Sequence, residues 1–111
     1  MELSTSHDGK SMVITLQGRL DVMNAPRFET MLTEEVQRGE TSFILDLARL
    51  DYISSAGLRT LLVMAKRIQA QHGSLLLCGL CGGVREVFEV SGFSKIFTCC
   101  PDLGAAQAHR G

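Results

Sequence analysis

Two adjacent serines, Ser54 and Ser55, sit where a short apolar run gives way to a helical pattern in FILDLARLDYISSAGLRTLL, residues 43–62. A helix N-terminus presents backbone N–H groups without intrahelical partners and the positive end of a dipole. The fold tolerates a phosphate carried there. That phosphate still changes the local charge by about −1.5 to −2, which suits a switch better than a reaction centre. The plainer reading of the pair is capping, because a serine oxygen accepts an exposed backbone N–H at a helix start. The two readings are compatible for Ser54. Asp46 and Asp51 flank the same loop, and Asp46 interrupts an otherwise apolar strand. If these carboxylates lie near Ser55, a phosphate there would meet like charge.

A second chemistry is carried by Cys78-Gly-Leu-Cys81. A C-x-x-C between a strand and a helix is the arrangement of a thiol oxidoreductase, since the helix N-terminus lowers the thiol pKa. The rest of the chain argues against it. Its only prolines are Pro26 and Pro101, neither placed to face such a site, and the preceding strand order is wrong for a thioredoxin-like fold. A zinc site needs four converging ligands. Cys99 and Cys100 are adjacent, so their side chains diverge in a strand, and His7, His72 and His109 have no convergent spacing. Cysteine is often a small buried residue. The chain contains no G-x-x-x-x-G-K-[ST], no G-x-G-x-x-G and no G-x-S-x-G. Gly82-Gly83 lacks the lysine of a phosphate loop and reads as a tight turn. No metal or cofactor is expected, and no catalysis by this chain alone.

The elements that must position these residues follow from periodicity. Residues 2–6 read as a weak edge strand. Residues 11–18 alternate as a strand with one buried face, Met12, Ile14 and Leu16 opposite Val13 and Thr15. Asn24 and Pro26 mark a helix start. Phe28, Met31, Leu32 and Val36 form that helix's apolar stripe, and Gly39 closes it. Residues 42–47 are a near-continuous apolar run, as in a strand covered on both faces. The helix over about 55–72 buries Leu58, Leu61, Leu62, Ala65 and Ile68 and ends at Gly73. Its other face carries Arg59, Val63, Lys66 and Ala70, a stripe that begins at the serines and suits a partner surface. Residues 74–80 are a second buried strand, which the strand–helix–strand order makes parallel to the first. Val84, Val87 and Phe88 are spaced for burial on a last amphipathic turn or two capped by Gly92. Residues 95–99 form a short strand, and 101–111 a terminal helix led by Pro101. The expectation is an α/β fold: one mixed sheet of four or five strands with about four helices mostly packed on one side.

Gross properties fit one domain over residues 1–111. The chain is 45% hydrophobic, enough for a core without disulfides, and its net charge of −1 gives no nucleic-acid footprint. The N-terminus lacks the basic start and apolar run of a signal peptide, and no apolar run approaches the roughly 18 residues of a membrane helix. A cytoplasmic protein is expected, without membrane insertion, a monomer on its own, its four cysteines reduced.

In order and spacing, GRLD at 18–21, FILDL at 43–47 and ISSAGL at 53–58 resemble STAS domains. SLLLCGL and VREVFEVSGFSKIF continue the likeness, which runs from about residue 4 to residue 108. It is nearest to the stand-alone bacterial anti-sigma-factor antagonists. The resemblance implies a partner switch. In that family the unmodified antagonist binds a serine kinase that doubles as an anti-sigma factor, and so frees a client. The kinase phosphorylates the antagonist, the complex separates, and a PP2C-type phosphatase resets it. By the same resemblance the acceptor is Ser55, with Ser54 its rival. Ser54 stands where many members have Asp, and Ala56 where they have Ser or Thr. Asp21 matches an acidic position that orients the serine or contacts the kinase; as a bare residue it reads equally well as a turn former. The implied partner surface is Asp21, Ser54, Ser55, Ala56, Gly57, Arg59, Val63 and Lys66. Two alternatives stand beside it: a constitutive STAS subunit of a transporter complex, and the thiol oxidoreductase on Cys78 and Cys81.

Overall fold

A computed structural model describes residues 1–110. The first two strands, β1 (Glu2–Asp8) and β2 (Ser11–Leu20), pair antiparallel across a tight turn at Gly9, whose φ of +61° lies in the left-handed region that glycine adopts freely. Helix α1 (Ala25–Gln37) carries the chain back, so that β3 (Ser42–Ile53) lies parallel to β2. Helix α2 (Ser55–Ala70) leads to β4 (Ser74–Cys78), also parallel. Helix α3 (Gly82–Ser91) and a short 3₁₀ turn (Phe93–Lys95) precede β5 (Thr98–Cys100), and α4 (Leu103–Arg110) ends the described chain. The sheet has five strands in the order β1-β2-β3-β4-β5. The terminal helix read over 101–111 includes Gly111, which lies outside the described residues.

The main core fills one face of the sheet. Ile14, Leu16, Phe43, Leu45, Leu47 and Leu77 meet Phe28 and Leu32 of α1, Leu61 and Met64 of α2, and Val84 and Phe88 of α3. The opposite face has a smaller core of its own, where Val13, Ile44, Leu76 and Cys78 are sealed by Ala106, with Leu103 packed against them. The helices are therefore mostly on one side, with α4 alone on the other. It is α4 that buries Val13, so β2 is covered on both faces along its first half instead of one.

Several boundaries differ from the periodic reading. The largest difference is β3, which continues six residues past the apolar run to Ile53. Two β-bulges account for it. Between the pairs Thr15↔Asp46 and Gln17↔Arg49, and again between Gly18↔Leu50 and Arg19↔Tyr52, β3 uses one residue more than β2. Each bulge restores an apolar residue to the core face, so Leu47, Leu50 and Ile53 are all buried at three-residue spacing. Helix α2 stops at Ala70, and the left-handed residue after it is His72 (φ 61°). Gly73 is required for a different reason: a Cβ there would lie 2.4 Å from the Thr41 carbonyl oxygen. At α4 the capping residue is Asp102, whose carboxylate accepts the Ala105 N–H (2.8 Å) one residue after Pro101. Val87 lies at the surface, because Val84 and Phe88 already fill the inward face of α3. Leu62 and Ala65 are half-buried, and Met64 takes the central position of the α2 stripe.

Candidate functional site

Parallel strands β2 and β3 finish side by side, so the loops that follow them are neighbours. One residue, Ser54, separates β3 from α2. Its N–H donates to the Leu20 carbonyl oxygen (2.9 Å), tying the start of α2 to the end of β2. Its hydroxyl oxygen accepts the Gly57 N–H (3.1 Å), a side-chain N-cap. Ser54 is thus half-buried and engaged. Ser55, the first helical residue, is exposed, and its hydroxyl has no partner among the described residues.

Gly57 belongs to the same joint. A Cβ there would lie 2.9 Å from Ile53 Cγ1, 2.9 Å from Leu20 Cγ and 3.1 Å from the Leu20 carbonyl oxygen. Only a residue without a side chain lets the first turn of α2 sit on the ends of β2 and β3. Gly57 is buried, and Ala56 packs partly on the core. Both were expected to contact a partner; Gly57 is instead closed off from solvent and Ala56 is half-buried.

Asp21 opens the adjoining loop. Its Oδ1 accepts the N–H groups of Met23 (3.0 Å) and Asn24 (3.2 Å). Asn24 Oδ1 in turn accepts the Asp21 N–H (2.9 Å), and Asn24 Nδ2 donates to the Arg19 carbonyl oxygen (2.8 Å). Asp21 is therefore a turn residue that organises its own backbone. No hydrogen bond joins it to either serine among the described residues. The turn it builds holds Val22 and Met23 out in solvent, 66% and 85% exposed. Neither residue was singled out from the sequence. The available signal was an apolar pair inside an otherwise polar Asp-x-x-Asn turn.

The stripe on α2 is partly as expected. Arg59, Lys66 and Ala70 are exposed, but Val63 is half-buried. The neighbouring Arg67 lies 3.8 Å from Glu29 of α1. Asp46 is remote from the serines: it pairs in register with Cys78 and accepts the Ala48 N–H (3.1 Å). Asp51 is exposed, in the second β3 bulge.

The burial of Cys78 argues against a redox site at the cysteine pair. Cys78 is fully buried, and loss of water pushes its thiol up to about 12, with Asp46, Cys100 and Asp102 adding to the rise. A redox-active first cysteine needs the opposite shift. Cys81 is exposed at the N-cap of α3, where its thiol faces the Ala48 carbonyl oxygen (3.6 Å). All four cysteines are free. Among the described residues no group of three or more His, Cys, Asp or Glu is arranged to hold a metal. No helix there is long and apolar enough to cross a membrane.

The arrangement offers an exposed Ser55 hydroxyl at the start of α2, a helix tied through Ser54 to the end of β2, and the loop that follows β2 exposes Val22 and Met23. Comparison with known proteins agrees with the fold. The STAS domain model matches residues 2–106. BtrV of Bordetella bronchiseptica, provisionally named an anti-sigma factor antagonist, is 44% identical over 108 residues, covering 97% of this chain and 93% of its own. A Thermotoga maritima structure with the same provisional description superposes with a TM-score of 0.91 at 18% identity, covering 96% of this chain and 92% of that one. The Bacillus cell fate determinant SpoIIAA in its phosphorylated form gives 0.75 at 21%, covering 96% and 98%. With strand order, helix placement and family model in agreement, this chain belongs to the STAS domain family, alongside relatives named anti-sigma factor antagonists.

Proposed function

We propose that this chain is the phosphorylation-switched antagonist of a partner-switching pathway. Unmodified, it binds a serine kinase that doubles as an anti-sigma factor, and that binding frees the kinase's client. The kinase then transfers the γ-phosphoryl group of ATP to Ser55 Oγ; the hydroxyl proton leaves, ADP remains, and the complex separates. A PP2C-type phosphatase hydrolyses the ester, returning serine and inorganic phosphate. The chain itself is a substrate and a binding partner, and it works in the cytoplasm. The partner face is Ser55 with Val22, Met23, Arg59 and Lys66, supported from beneath by Asp21, Ser54, Ala56, Gly57 and Val63.

One observation carries the choice of acceptor. Ser54 Oγ is occupied by the Gly57 N–H, whereas Ser55 presents an exposed hydroxyl without a partner among the described residues. A relative solved in a phosphorylated form, SpoIIAA, shares the fold, and the 44% identical BtrV carries the antagonist name. The energetics are adequate. A 100-fold loss of affinity needs about 2.7 kcal/mol, within reach of a dianion placed in a contact surface.

The test is intact mass after incubation with ATP and a serine kinase–anti-sigma factor from the same genome. A gain of about 80 Da, one phosphate, is expected for the natural chain and for Ser54→Ala, and no gain for Ser55→Ala. Loss in Ser54→Ala alone moves the acceptor by one residue. No phosphate from any such kinase, with partner binding retained, turns the reading to a constitutive STAS subunit.

A further inference from the structure

Resting on the reading of Ser55 as the acceptor, we propose that its phosphate is held within the chain by Arg59. Ser55 is the first residue of α2 and Arg59 lies four residues on, so the two share one face of the helix, one turn apart. Long side chains on a helix lean toward its N-terminus, a lean that puts the turn carrying Ser55 within reach of a guanidinium at position 59. An anion N-terminal to a cation at this spacing is the favoured order. Both residues are exposed, and neither side chain has a hydrogen bond or ion pair among the described residues. Guanidinium is also the side chain best matched to a phosphate, through paired N–H donors.

Three other cations are less well placed than Arg59. Lys66 is seven residues beyond Arg59, about 10 Å further along the axis. Arg67 is engaged with Glu29 (3.8 Å). Arg19, on β2, is stacked over the Tyr52 ring at 4.1 Å. Of the carboxylates at this end of the sheet, Asp21 has Oδ1 occupied by two N–H groups of its own loop, and Asp51 stands exposed in the β3 bulge. The modification thus acts twice on the partner face. It adds a dianion, and it takes up a guanidinium that was free.

Phosphoserine installed at position 55 during translation makes the test independent of any kinase. Phosphorus NMR across pH gives the second pKa of the phosphate, ordinarily about 6. In the otherwise natural chain this pKa is expected to fall below that in Arg59→Gln by about 0.15–0.4 of a pH unit. Arg59→Lys should recover part of the difference, and Lys66→Gln should leave the natural value unchanged. Equal values in the natural chain and Arg59→Gln, or an equal rise with Lys66→Gln, would overturn the pairing. Failure of the kinase reading shows separately, as absence of the mass gain with ATP.

Discussion

Ser54 and Ser55 are chemically identical and one position apart, and the first turn of α2 separates their roles. Ser54 Oγ closes the helix on the Gly57 N–H, and Ser55 is left to solvent. Ser54→Ala is therefore expected to lower stability by about 1 kcal/mol, the usual cost of a lost serine cap, while leaving phosphate uptake intact. Ser55→Ala should leave the urea midpoint within experimental scatter, since an exposed side chain without partners contributes little. Reversed stabilities, with Ser55→Ala the costly change, would mean that Ser55 is the cap. Asp21 shows the same economy of local bonding. Its type and position read equally as a turn former or as a contact for the serine or the kinase, and its carboxylate holds the loop that displays Val22 and Met23.

At the scale of elements, the site is a joint where α2 lands on the ends of β2 and β3. Gly57 sets how closely it lands. Alanine is ordinarily the better helix former by up to about 1 kcal/mol. At Gly57 the new methyl would sit 2.9 Å from Leu20 Cγ and Ile53 Cγ1, and overpacking typically costs about 1–3 kcal/mol. Gly57→Ala should therefore destabilise by roughly 1 kcal/mol net. Gly83→Ala in α3, where a Cβ would meet nothing within 4 Å, should stabilise. Paired urea melts check the opposite signs. A stabilised Gly57→Ala would mean that α2 stands further off the sheet.

Across the whole molecule, the sheet has two cores of unequal size. Cys78 belongs to the smaller one under α4. Burial raises its thiol from 9.0 to about 12, so between those values the unfolded chain loses a proton that the folded chain keeps. Fewer bound protons in the unfolded state mean that stability falls as pH rises. The contribution is fully present below about pH 9 and declines up to about pH 12. Urea midpoints of the natural chain should drop faster over pH 9–10.5 than those of Cys78→Ala, whatever the offset caused by the smaller side chain. Equal slopes would show that the thiol is not held neutral by the fold.

Much of this protein was legible from local pattern. Phe28 with Leu32, the run at 43–47 and the strand read over 74–80, which ends at Cys78, each declare their element through a period that neighbours along the chain enforce. The strand–helix–strand order made β3 and β4 parallel, and the join at residues 54–55 was placed at a helix start because serine caps are a local device. Other features depend on partners distant in sequence. The bulges that carry β3 to Ile53 exist only against β2, because they are a mismatch in count between two strands. Val87 faces out because Val84 and Phe88 fill the space beneath α3, and Val13 is buried because α4 returns across the far face. The exposure of Ser55, the closeness of Gly57 to Leu20 and the removal of Asp46 to the neighbourhood of Cys78 have the same origin. Periodicity assigns a residue to an element; only packing between elements decides which of its atoms meet protein and which meet water.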